Sequence, residues 1–434
     1  MIRTSALLGA SLAALALVAA PVAAHDDDHD HGGVHYFLAE SDAAAAPVAV
    51  PTMSFGAWGV DPRLLSTTVH PGDDFFAYVN KPWLDANPLP PEFPRFGAFT
   101  LLTEKSTADV KALLDELVAK PRAAMSHDER RIVDAYRGYL DTAAIEAAGL
   151  APAAPHLARI RAATTREALA ELWAEPGLAS PLSGFVTVDA KQPDRYIAHL
   201  GFGGLGLPDR DYYLDETEKG RAIQAQYKAY LVFLLGEAGY ADAAGAAEAV
   251  YALEDRIART VSWDRTVQRN RDLTYNLLTA DQLAALPGSA PIMAMLTKTG
   301  LDQSPGFVVS LMPPSEERAA ALGLDAATRA KIGSGLPGML KLLEDTPVAT
   351  LQAWMTKQFL NANAAMLPKR FDEANFAFYG KVLSGAPEQR PRWKRAVQAT
   401  EGMLGERLGA LYVARYFPPE SKAAMDDLVA NLRL

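Results

Sequence analysis

Apolar residues recur at helical spacing along most of this chain. Val110, Leu113, Leu114, Leu117 and Val118 fall at i, i+3, i+4, i+7 and i+8, which places one apolar stripe on a helix. Leu404, Leu408, Leu411 and Tyr412 repeat the pattern near the end. Start signals accompany it. Ser126/Glu129, Thr164/Glu167 and Thr279/Gln282 have the spacing of capping boxes, in which each side chain satisfies a free N–H at a helix start. Pro176-Gly177, Pro287-Gly288 and Pro337-Gly338 read as turns. Strand signals are few: Phe185 to Val188 and Tyr196 to Leu200 are short and fit one hairpin. No repeat of 20–50 residues is evident. The pattern predicts a mainly α protein, a large multi-helix lobe with one or two small β elements.

The amino-terminal residues follow a different rule. Met1 to Ala24 has Arg3 at its start, an apolar run from Ala6 to Ala20 and the small residues Val22-Ala23-Ala24. This reads as a secretory signal peptide, since the run is shorter than the roughly 20 residues that span a bilayer. Residues 25–53 form a His/Asp- and Ala-rich leader, expected to be disordered because it holds too little apolar surface to fix a fold. Its start, HDDDHDHGGVH, could hold a divalent metal loosely. It fails as a calcium loop, because His31 stands where glycine is needed and Phe37 where the bidentate glutamate is needed.

Composition narrows the chemistry. The 434 residues carry no cysteine, which removes disulfides, thiolate metal sites and cysteine nucleophiles. A formal charge of -10 opposes nucleic-acid binding. The eight histidines stand at 25, 29, 31, 35, 70, 127, 156 and 199, so none lies in the second half. A helical catalytic zinc site needs H-E-x-x-H, and the chain contains none. His127-Asp128-Glu129 begins such a pattern without its second histidine, and reads as a surface helix start. His70, His156 and His199 are isolated and read as structural. The run Gly201 to Gly206 resembles a phosphate loop but leads into Leu207-Pro208-Asp209 instead of a helix, so it reads as a tight turn. Arg390 to Arg395, RPRWKR, interleaves charge with an aromatic. The surrounding acidity makes it a solvated helix start with Trp393 packed inward. G-x-S-x-G is absent.

Five segments, in order, carry a resemblance. They are PGDDFFAYVNKPW from Pro71 to Trp83, continued by Asn87 to Pro91 and Pro94 to Phe99; GLGLPDRDYYL from Gly204 to Leu214; Arg271-Asp272 with Thr274 to Asn276; FYGKVLSG from Phe378 to Gly385; and QRPRWKR from Gln389 to Arg395, leading to LYVARYFP from Leu411 to Pro418. Together they resemble the N-terminal part of the neprilysin-like zinc metalloendopeptidases, over about Ser54 to Leu434. The resemblance implies a large helical lobe that caps a thermolysin-like catalytic lobe and restricts substrates to modest peptides. It implies residues 54–434 as that N-terminal domain. Zinc, the H-E-x-x-H helix and an N-A substrate clamp would belong to the catalytic lobe of the full-length parent, so this chain is expected to bind no zinc specifically and to be inactive alone. Arg95 matches an arginine that holds the C-terminal side of the substrate, a role suited to bidentate pairing with a carboxylate. Thr103 stands where some members have a second arginine. The lack of cysteine fits the bacterial branch, exported to the periplasm or secreted. The expected partners are peptide substrates and the catalytic lobe, without nucleic acid and without a membrane span after signal cleavage. An alternative is a non-catalytic periplasmic peptide-binding protein built on the same lobe. A third reading is metal capture by the leader.

Overall fold

Residues 62–433 are described by the computed structural model, and the segments read above as signal and leader lie outside them. Helices dominate, with one small sheet, as the periodicity predicts. The described chain divides into two units, residues 143–378 and residues 62–142 together with 379–433.

In the second of these, α1 (Phe75–Ala86) starts where Asp74 accepts a hydrogen bond from the Ala77 N–H at 2.8 Å. The stripe at 110–118 lies on α2 (Ala98–Ala119), which buries Leu101, Val110, Leu113, Leu114 and Leu117. α3 (His127–Leu140) opens on the Ser126/Glu129 capping box and buries Ile132, Val133, Tyr136 and Tyr139. The long helix Arg392–Tyr416 packs on both α2 and α3. Its backbone leaves helical geometry at Leu404 (φ −136°), so the stripe predicted through 404–412 breaks and only Leu408 of it is buried. The last described helix, Pro419–Leu432, buries no residue.

In residues 143–378 the predicted hairpin is present and longer than its signal. β1 (Leu182–Asp189) and β2 (Gln192–Phe202) pair antiparallel, with Phe185 opposite His199. Two three-residue strands complete the sheet. β3 (Asn276–Leu278) pairs antiparallel with β4 (Phe307–Val309), and β4 runs parallel to β2, giving the order β1-β2-β4-β3. Helix Val348–Ala362 packs on Glu218–Glu237 and Ala243–Arg256. A separate cluster of Trp263, Val267 and Leu273 gathers Leu311, Leu322, Leu324 and Ile332 around it.

Two local expectations are corrected here. Thr164 does not cap a helix. Thr165 does, and its hydroxyl accepts from the Ala168 N–H, so the glutamate at 167 sits one position too early to close a box. Pro337-Gly338 is no turn: it lies in the first turn of the helix Gly335–Asp345. Proline is tolerated there because that N–H has no intrahelical acceptor. Pro176-Gly177 and Pro287-Gly288 do turn the chain, with Gly177 at φ 83° and Gly288 at φ 73°.

Candidate functional site

Arg95 sits at a bend between α1 and α2 and is exposed. The segment that carries it is fixed from below. Phe93 is buried, and Phe96 lies 5.7 Å from the Phe93 ring and stacks on Trp83 at 6.1 Å. The Arg390 guanidinium and the Lys394 ammonium stand over the Phe93 ring at 5.4 and 5.9 Å. Glu92 pairs with Lys394 at 2.5 Å, and Glu388 donates its backbone N–H to the Pro91 carbonyl. From α2, Glu104 pairs with Arg390 at 2.6 Å and with Lys394. This cluster packs beneath the bend, and Arg95 is exposed. Thr103, at the position of a possible second arginine, turns its hydroxyl back to the Phe99 carbonyl at 3.0 Å.

The same cluster corrects the reading of RPRWKR. It is a helix start, since Arg392 begins the helix Arg392–Tyr416. It is not solvated: Arg390, Lys394 and Arg395 are buried, and Trp393 is only half-buried, with Lys111 over its ring at 5.6 Å. The reason is the pair of acids, Glu92 and Glu104. A buried cation persists only when it is paired, and neither acid is near this run in the sequence.

A second buried charge network lies in residues 143–378. Lys357 and Glu254 are 1% and 0% exposed and 2.7 Å apart. The Tyr213 and Tyr227 hydroxyls both donate to Glu254 Oε2, at 2.8 and 2.7 Å. Lys357 donates to the Tyr227 hydroxyl at 2.8 Å. The Tyr213 oxygen in turn accepts from the Gly206 and Leu207 N–H groups, each at 3.0 Å. Burial, then the Glu254 charge, raise the Tyr213 pKa well above its ordinary value, so it stays a donor. The glycine run is therefore the lid of a packed ionic core and no phosphate cradle. At Gly206 a Cβ would stand 1.7 Å from the Tyr227 hydroxyl, and the Trp354 indole N–H donates to the Gly204 carbonyl at 2.9 Å.

The four described histidines stay apart. His70 is exposed and accepts from the Gly72 N–H, and His127 is exposed beside Asp128. His156 stacks on Phe359 and His199 on Phe185; burial lowers the pKa of His199. Among the described residues no group of three or more His, Asp or Glu is placed to hold a metal ion. A catalytic zinc needs about three protein ligands, and the described residues bring no such set together.

Comparison with known proteins decides the family. The N-terminal profile of peptidase family M13 matches residues 71–434. The chain belongs to peptidase family M13. Endothelin-converting enzyme 1 of Cavia porcellus is 26% identical over 394 residues, covering 85% of this chain and 48% of its own length. Human neprilysin is 24% identical over 399 residues, covering 85% and 50%. Among solved structures, the zinc metalloprotease ZMP1 of Mycobacterium tuberculosis, in complex with an inhibitor, superposes with a TM-score of 0.71 at 29% identity. That superposition covers 86% of this chain and 54% of ZMP1. The chain spans about half the length of the relatives it matches.

Three of the five segments thus border two structural devices. Glu92 and Phe93, between the Asn87–Pro91 and Pro94–Phe99 stretches, meet Arg390 and Lys394 in one charge cluster, and GLGLPDRDYYL closes over the other. Their acids, Glu104 and Glu254, and the lysine Lys357 escaped the sequence reading. A signal existed for two of them. Glu254 interrupts the apolar run Val250, Tyr251, Leu253, Ile257, and Lys357 the run Leu351, Trp354, Phe359, Leu360, so each is a charge on a buried helix face.

Proposed function

We propose that this chain is the N-terminal, substrate-restricting lobe of an exported bacterial zinc metalloendopeptidase that hydrolyses peptides. In this reading residues 1–24 are the signal peptide, 25–53 the leader and 54–434 the lobe. Catalysis belongs to a further lobe carrying H-E-x-x-H, and zinc belongs there too. The observation that carries the proposal is the family match from residue 71 to 434, over only half the length of each relative. The absence of H-E-x-x-H from the sequence agrees with it. No described helix is long and apolar enough to cross a membrane.

Within the lobe, Arg95 binds the terminal carboxylate of a peptide. Its support is the resemblance of this segment, together with an exposed arginine on a bend packed against Phe93 and the Glu92–Lys394 pair. The test is fluorescence anisotropy with one labelled peptide in free-acid and amidated forms. A hydrogen bond to a charged group contributes about 1.5–3 kcal/mol, so Arg95→Ala should weaken the free acid about 10- to 150-fold and leave the amide unchanged. Equal binding of both peptides by both proteins would remove Arg95 from the site. Tight binding without turnover, even in the presence of the full-length parent's remaining lobe, would favour a peptide-holding protein.

A further inference from the structure

His199 stands inside an apolar row that crosses the whole sheet. Phe185 on β1 faces it on one side and Val308 on β4 on the other, and Val308 faces Leu277 on β3. Residues two apart on a strand share a face, so Ser183, Thr187, Ile197 and Gly201 lie on the same face as this row. None of these neighbours titrates. The imidazole stacks on the Phe185 ring, with centroids 5.5 Å apart. Its Nε2 is buried and has no hydrogen-bond partner among the described residues. Those residues themselves seal the atom, so a segment or lobe added outside them reaches it only by displacing them.

This position suits a neutral ring and not a charged one. Neutral imidazole leaves Nε2 as a bare acceptor, at the cost of one unmade hydrogen bond. Protonated imidazole must bury a charged N–H, which costs far more without a partner. The charge that acts on the ring is Asp189, at the end of β1. Its carboxylate is already held by Arg195 at 2.6 Å, the Tyr275 hydroxyl at 2.8 Å and the Lys191 N–H at 2.9 Å. Segments Gly335–Asp345, Leu301–Gln303 and Ala280–Ala284 also pack on these strands. Their charges, Lys341, Glu344, Asp345, Asp302 and Asp281, do not act on the ring. Burial therefore outweighs Asp189 and keeps the His199 pKa below its ordinary 6.5.

The two sides of the ring differ in how firmly they are packed. Val308 is 1% exposed, whereas Phe185 is 36% exposed. The β1 side is the one that can yield. We infer that His199 is an acid-operated release for the β1–β2 hairpin: a solvent proton reaches Nε2 when Phe185 and β1 lift from β2, and holds them apart. The sign follows from linkage. The folded value lies below the unfolded one, so the hairpin is fully stable above pH 6.5 and loosens as pH falls through the folded value. This device is separate from Arg95 and does not depend on the peptidase reading.

The test uses the whole chain from pH 7.5 to 5. The His199 ring signal, assigned by its loss in His199→Phe, is titrated by NMR. Hydrogen exchange of residues 182–202 is followed in parallel, as protection relative to a free amide at each pH. Protection in the wild type should fall about tenfold for each unit by which the ring titrates below 6.5. It should stay level in His199→Phe, or in His199→Gln if the phenylalanine variant does not fold. The two wild-type curves can be compared with neither variant folded, because a release requires that protection fall as the ring takes up its proton. A ring titrating at or above 6.5 would overturn the inference. So would titration with no loss of protection, which would mean that a buried water carries the proton in a closed sheet. An equal loss in the variant would assign the effect to another group.

Discussion

Replacing Lys357 with methionine removes the cation from the most buried ionic contact of residues 143–378. The ammonium lies 2.7 Å from Glu254 Oε1. At an effective dielectric of about 20 the gross attraction is roughly 6 kcal/mol. Desolvation of both groups opposes much of it, so the pair itself contributes little net stability. Removing one partner is different, because the Glu254 carboxylate stays buried with only the two tyrosine hydroxyls to hold it. Such a loss costs about 3–5 kcal/mol. For a unit of this size that is a fall in Tm of roughly 6–20 °C. Adding Glu254→Gln to Lys357→Met removes the stranded charge, and the double variant should recover at least half of the loss. Urea unfolding of the wild type, both single variants and the double variant measures the coupling. If Lys357→Met costs under about 1 kcal/mol, or if the double variant is no more stable than the single, the buried network does not work as described.

Other substitutions probe the remaining devices. Glu104→Gln should cost about 3–5 kcal/mol in the same assay, because Lys394 and Arg390 lose their shared acid. Gly206→Ala should cost about 1–3 kcal/mol by forcing Tyr227 from Glu254, and a neutral result would show that the loop is loose. Asp189 carries a pH signature. Burial pushes its pKa up, but the Lys191 N–H, Arg195 and Tyr275 outweigh it and hold it at about 2, below its usual 3.8. Its contribution is therefore full above pH 3.8 and lost as pH falls through 2, so the Tm gap between wild type and Asp189→Asn should shrink over that window. A gap independent of pH would refute the assignment. Ser126→Ala should cost about 1 kcal/mol by calorimetry, through loss of the cap on α3.

What was legible depended on whether the signal was local. The stripe at 110–118, the hairpin at 185–200 and the boxes at Ser126 and Thr279 each need only a few neighbouring residues, and each is present. Thr164 failed by one position because two adjacent threonines compete for the cap. β3 and β4 were missed since three residues are too few to show alternation, and their pairing is set by distant partners. The site was legible in a different way. Arg95 came from resemblance, and its exposure is all that the structure adds directly. The burial of RPRWKR was misread because its neutralising acids lie on the 90–93 turn and on α2. Local composition reports charge but not the distant partner that lets a charge be buried.

Peptide turnover tests the central claim most directly. The purified chain, supplied with zinc, is incubated with a quenched fluorescent peptide with and without a chelator. An N-terminal M13 lobe lacking H-E-x-x-H should leave the peptide intact in both. Zinc-dependent cleavage abolished by the chelator would contradict the account, because it would require a catalytic metal site built from the residues of this chain.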